Sequence, residues 1–210
     1  MNKNYLEEMP AEIQEARRSV DLQAIGTDLS IKLSLTPAQQ AALKDSLSSF
    51  LENIWNDKHV QLDMSAITPL NEREGQIVNR EINERVFLKI IQALEKLGLN
   101  DNAVLFASGD IKLTARTLRV GEFASHDTDR LIYKKTESRR HGFFVRKIQH
   151  VIELEADYPE KGRWGEYEPI RIRVDSAEKV DDFLCQLNKA VKVGNFRYFV
   201  DIFSRFKLIK

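Results

Sequence analysis

The 210-residue sequence predicts an α+β fold: a helix-rich N-terminal half, then an antiparallel β-sheet in the second half closed by two C-terminal helices. Three observations predict it. Apolar residues recur at helical spacing up to about Asn100 and alternate after it. The strands cluster instead of alternating with helices, which argues against a doubly wound sheet. Apolar spacing turns helical again after Asp175. These shifts divide the chain into residues 1–100, mostly helical, and 101–210, sheet plus C-terminal helices. No Pro/Gly/Ser-rich linker separates them, so one continuous domain satisfies the pattern equally.

Each element has its own warrant. Tyr5 to Val20 reads as a polar helix with a sparse stripe of Leu6, Met9, Ile13 and Val20, docking loosely or projecting. Asp28 to Leu35 alternates Leu29, Ile31, Leu33 and Leu35 with polar residues, the period of a half-buried strand. Thr36-Pro37-Ala38-Gln39 spells a capping box with proline at the first helical position, opening a helix to about Trp55 whose buried face is Leu43, Leu47, Phe50, Leu51 and Ile54. His59 to Met64 is a short strand candidate, and Asn71 to Arg80 is too polar to assign. A second strong helix runs from about Glu81 to Leu97 with Ile82, Val86, Ile90, Leu94 and Leu97 on one face, ended by Gly98.

Beyond Asn100, strands are expected at Val104 to Ala107, Ile111 to Ala115, Thr117 to Phe123, Leu131 to Lys135, Phe144 to Glu155 and Ile170 to Val174. Gly109-Asp110, Ser125-His126-Asp127 and Pro159 to Gly165 read as turns. Phe144, Ile148, Ile152 and Leu154 share one strand face and are expected in the core, with Arg171 and Arg173 facing out. Asp175 caps a helix with Glu178 three residues on, Gly194 breaks it, and Asn195 to Phe206 forms a last amphipathic helix. The order of the second half, antiparallel strands closed by the Asp175 helix, is similar to that of pleckstrin-homology-like domains; the likeness implies a fold and no function.

Composition narrows the functional classes. Lysine plus arginine equals aspartate plus glutamate, 32 each, so the formal net charge is zero. No apolar run approaches the roughly 18 residues a membrane helix needs, and the first residues hold no apolar signal core. A cytoplasmic chain without membrane contact is the expectation. Cys185 is the only cysteine, so no intramolecular disulfide can form. His59, His126, His141 and His150 show neither helical nor strand spacing for a metal pair. No cofactor and no metal site is expected.

The neutral total hides an uneven distribution. Between Arg130 and Lys147 lie seven cations, Arg130, Lys134, Lys135, Arg139, Arg140, Arg146 and Lys147, against the single anion Glu137, a net of +6. Tyr133, Phe143 and Phe144 sit among them, and Gly142 suits a hairpin turn. Cations for phosphates and aromatic faces for unstacked bases point to a DNA or RNA contact. The opposing reading is a hairpin with a solvated charged face and its aromatics in the core. An acidic stretch follows from Ile152 to Pro169, six acids against two cations, net −4, so a shared sheet would neutralise part of the basic charge.

Two weaker signals complete the sequence. Asp110 and Lys112 lie two apart on one face of a strand, the acid-plus-lysine beginning of a metal-dependent nuclease or hydrolase, which needs a further carboxylate. The C-terminal Phe196, Tyr198, Phe199, Phe203 and Phe206 fit a core-docking helix, with Tyr198 and Phe206 left for an oligomer or protein-partner surface. The leading expectation is a non-enzymatic binding protein that contacts nucleic acid through the basic-aromatic hairpin. An interaction or adaptor protein forming an oligomer or complex is the first alternative, and the nuclease or hydrolase the second.

Overall fold

The computed structural model describes residues 7–65, 67, 71–122, 124–141, 147–157 and 169–205; of residues 141, 147 and 205 it describes the backbone alone. Two compact units are built from interleaved stretches of chain. One is Asn100–Gly194, joined by residues 7–8; the other is Met9–Leu99 with the chain from Asn195 onward.

The second of these is helical. Helix α1, Ala11–Arg18, buries Ile13 and Ala16 completely and lies on α5, so it is a docked element and not a projecting one. Helix α2 covers Leu22–Leu33, where a strand was expected from the alternation of residues 28–35. Asp21 decides the matter locally: its side chain accepts the Ala24 N–H at 2.9 Å and caps a helix. Ile25, Gly26, Leu29 and Ser30 then form the buried stripe, while Ile31 is 73% exposed. The alternation of Leu29 with Ile31 therefore carried no burial signal. Ser34 ends α2 in the left-handed region, φ 54°.

Helix α3, Pro37–Asn53, opens with the capping box expected at Thr36 and Gln39, and buries Leu43, Leu47, Phe50 and Leu51. The strand expected at His59 to Met64 does not form; Leu62 alone makes a bridge there. The polar run at Asn71 is helix α4, Glu72–Glu81, with a second capping box between Asn71 and Glu74. A π-helical segment, Ile82–Phe87, joins α4 to α5, Leu88–Lys96. The sequence explains it. Ile82, Val86, Ile90 and Leu94 are spaced by four, more than the 3.6 of an α-helix, and a wider turn keeps all four buried together. Gly98, at φ 79°, closes α5 as expected.

The other unit holds two antiparallel sheets. The first, in order β1-β2-β3-β4, comprises Val104–Ser108, Ile111–Thr114, Thr117–Val120 and Ala124–Asp127. Strand β4 occupies the stretch expected to be a turn: Ser125 pairs with Arg119 and His126 with Leu118. The second, in order β5-β6-β7, comprises Leu131–His141, Lys147–Ala156 and Ile170–Val174. One core joins both sheets to the final helix: Phe106, Leu113 and Leu118 from the first, Ile152, Leu154 and Ile172 from the second, Phe183 and Leu187 from the helix.

That helix, α6, runs unbroken over Ala177–Arg205, one long helix where two were expected. Ser176, not Asp175, caps it by accepting the Lys179 N–H at 3.2 Å; Asp175 instead pairs with Lys179 Nζ at 2.8 Å. Gly194 does not break it. A Cβ at Gly194 would lie 2.8 Å from both the Asp129 nitrogen and Thr128 Oγ1, so glycine is present for close approach and not for chain reversal. Past Gly194 the helix joins the helical unit, not a sheet. Phe196 stacks on Trp55 at 4.7 Å between centroids, Phe199 meets Phe50 edge-on at 5.6 Å, and Phe203 meets Phe87 edge-on at 5.2 Å.

Candidate functional site

The hairpin expected around Arg139 is real and longer than its apolar pattern indicated. Strand β5 runs for 11 residues, and β6 pairs with it from Ala156 opposite Leu131 to Lys147 opposite His141. Strand β7 pairs with β6 only from Leu154 to His150. Residues 139–141 and 147–149 therefore form a two-stranded arm at the end of a three-stranded sheet. The difference in strand length explains one failed expectation. Ile152 and Leu154 are fully buried under α6, but Ile148 lies on the arm and is 56% exposed.

Register sets the charge pattern, because residues directly opposite share a face. Lys135, Glu153 and Arg171 form one row across the outer face; Glu137, Val151 and Arg173 form the next; Arg139 and Gln149 follow. Signs alternate along β5 as well. Glu137 accepts from Lys135 Nζ at 2.6 Å and from Arg139 Nη2 at 2.7 Å. The Lys135 hydrogen bond first, then that of Arg139, holds the Glu137 carboxyl down at about 2, and Glu137 in turn raises both basic groups. Lys134 pairs with Glu155, and Arg171 Nε stands 3.5 Å from Glu153. Two acids of the acidic stretch, Glu153 and Glu155, thus lie beside cations of the sheet and neutralise part of its charge.

Not every cation is engaged. Arg140 and Arg173 are exposed and make no ion pair among the described residues. Arg140 sits opposite Ile148 on the other face of the arm, where Ser138 Oγ and His150 Nδ1 also meet at 2.9 Å. Arg130 lies at the base, its guanidinium on the Asp157 carbonyl at 3.2 Å. Arg146 lies outside the described residues, as do Phe143 and Phe144, and the Lys147 side chain is likewise undescribed. Sequence reasoning turned Arg171 and Arg173 outward together but did not join them to the face of Lys135 and Arg139. It also missed that β5 is, among the described residues, an edge strand. The first was legible in principle from the alternation of residues 170–174, once β7 is paired with β6.

The remaining candidates lie elsewhere. Asp110 is exposed on the β1–β2 turn, behind Gly109 at φ 61°. Lys112 is exposed on β2, opposite Arg119 of β3. Asp101 stands 3.6 Å from Arg116. Among the described residues no three His, Cys, Asp or Glu side chains gather in a way that could hold a metal ion. Tyr198 is half-buried, with Lys58 Nζ 5.4 Å from its ring centroid, and Phe206 lies outside the described residues. Among the described residues no helix is long and apolar enough to cross a membrane. No family model, no curated protein and no solved structure matches this chain.

Proposed function

We propose that this is a non-enzymatic binding protein that engages a protein partner through the β5–β6 arm. The observation that carries the proposal is the β5–β6 hairpin: an exposed ribbon whose end extends past its third strand and whose β5 carries Lys135, Glu137 and Arg139, alternating in sign, on one face. A nucleic-acid backbone would have to compete with Glu137, Glu153 and Glu155 for the same cations. A protein strand can add backbone hydrogen bonds that a nucleic acid cannot, and charge complementarity would fix its register.

A photo-crosslinking amino acid in place of Ile148 tests this in cells, with the same group at exposed Ile31 as control. Discrete adducts are expected from position 148 alone, and their loss when Arg139 and Arg140 are both replaced by Glu. No adduct, or the same adducts from both positions, overturns the proposal. The second reading, a nucleic-acid contact, is favoured by Arg140 and Arg173. It predicts binding of mixed single-stranded DNA or RNA that weakens steeply between about 50 and 200 mM salt, with a log–log slope of about −0.7 per phosphate engaged. Absence of binding at the lower salt removes it.

A further inference from the structure

The open edge of β5 offers more than exposed charge. In the sheet order β5-β6-β7, β5 is terminal, and β6 is its only strand neighbour among the described residues. In an antiparallel pair about half the backbone N–H and C=O groups of an edge strand point away from the partner. The other backbone bonds of the described residues include none that satisfies this side of the strand between Leu131 and His141. The register of β5 against β6 breaks between Tyr133 and Lys135, where Lys134 bulges. Past the bulge, pairing is regular from Lys135 to His141, which leaves an uninterrupted platform at Lys135–Arg140.

We propose that this edge, Lys135 to Arg140, takes up an extended acidic segment of a partner protein as an added antiparallel strand. The inference rests on the arm being the contact element. Added strands lie about 4.8 Å away, close enough for side chains directly opposite to pair. The platform then dictates a pattern. Carboxylates belong opposite Lys135 and Arg139 on the outer face, and opposite Arg140 on the other. A neutral residue belongs opposite Glu137, where an acid would be repelled. Read from its N-terminus, the incoming strand carries two adjacent acids, three uncharged residues and a third acid.

Lysines and bulges on an edge strand also guard against unwanted pairing. Here that guard is selective. An apolar strand would desolvate Lys135, Arg139 and Arg140 without compensation. A second copy would bring a second edge with cations at Lys134, Lys135, Arg139 and Arg140 against the lone Glu137. An acidic strand alone gains both the backbone ladder and the ion pairs.

The test uses the full chain and a synthetic peptide with the core Glu-Glu-Thr-Thr-Val-Glu, titrated by fluorescence anisotropy. Three controls accompany it: the peptide N-methylated on the amides that would face β5, its Lys-for-Glu analogue, and an isomer that shifts one Glu opposite Glu137. We expect the parent to bind, N-methylation to weaken it about tenfold or more through lost backbone hydrogen bonds, and the other two to weaken it at least as much. Outward-facing β5 amides should gain hydrogen-exchange protection. Equal binding of the N-methylated peptide overturns strand addition while leaving a side-chain contact on the arm. No binding of the parent despite adducts from position 148 overturns the acidic-strand assignment alone. Concentration-dependent dimerisation that the peptide does not relieve assigns the edge to a second copy. An oligonucleotide that displaces the peptide at lower concentration assigns it to nucleic acid.

Discussion

Glycine illustrates how one residue type carries opposite meanings in this chain. In a helix interior glycine costs about 1 kcal/mol relative to alanine. Gly75 lies inside α4 with nothing within 4 Å of an added Cβ, so Gly75→Ala should stabilise by about 0.5–1 kcal/mol. Gly194 lies inside α6, where the added Cβ would strike backbone at 2.8 Å. Gly194→Ala should therefore destabilise by about 1–3 kcal/mol despite the better helix propensity. Urea midpoints of the two variants at unchanged m-value would check both signs. Sequence alone reads Gly194 as a breaker and leaves Gly75 in a polar run without an assignment. Only the tertiary neighbours of Gly194, the Asp129 backbone nitrogen and Thr128 Oγ1, separate them, and those neighbours are more than sixty residues away in the chain.

Among elements, the α2–α4 contact turns on a single carboxylate. Glu81, 4% exposed, accepts from Lys32 of α2 and from Arg85 of the π segment, and Arg85 also pairs with Asp28 of α2. Burial raises the Glu81 carboxyl, but the hydrogen bonds from Lys32 and Arg85 outweigh it, and the net effect lowers it from the ordinary 4.5. Because the folded value lies below the unfolded one, the unfolded chain binds more protons between them. The stabilisation is complete above about pH 4.5 and is lost as pH falls through the folded value. Glu81→Gln should remove that acid-side dependence and cost about 1–3 kcal/mol at neutral pH, since Lys32 and Arg85 keep part of their solvent. Thermal melts from pH 3 to 7 would show a flatter profile in the variant. Cap chemistry made α3 legible, and apolar periodicity made α5 legible. Helix α2 was not, because four alternating apolar residues imitate a strand while Asp21, seven residues upstream of Asp28, sets the helix. The cation cluster of β5 was legible as a hairpin, but its pairing was not. Alternation alone sets Glu137 beside Lys135 and Arg139, but which β6 carboxylates meet Lys134 and Lys135 depends on a register that no local signal fixes.

For the whole molecule, the decisive feature is α6, which supplies Phe183, Leu187 and Ala190 to the sheet core and Phe196, Phe199 and Phe203 to the helical one. A chain ending at Gly194 loses the latter three. Each buried phenylalanine is worth about 1.5–3 kcal/mol, and the sum rivals the typical 5–15 kcal/mol of a whole domain. In that truncation, amides of α3 and α5 should exchange freely while those of β6 stay protected, as read by hydrogen exchange with mass spectrometry. Protection of α3 equal to that of the full chain would show the cluster to be dispensable. The expectation of an apolar C-terminal face was sound. Its destination was missed because Trp55, Phe50 and Phe87 lie more than a hundred residues earlier, beyond the reach of any local pattern.

Gly194 and the unbroken α6 also bear on the order in which the protein is made. A ribosome usually releases an N-terminal domain that folds while the rest is still being added. Here Met9–Leu99 emerges before the rings that fill its core, which follow about a hundred residues later. The helical unit is therefore begun before the sheet unit and completed after it. Until Phe196 and Phe203 have been added, Trp55 and Phe87 lack those partners, and that interval is when the nascent chain most needs protection from aggregation.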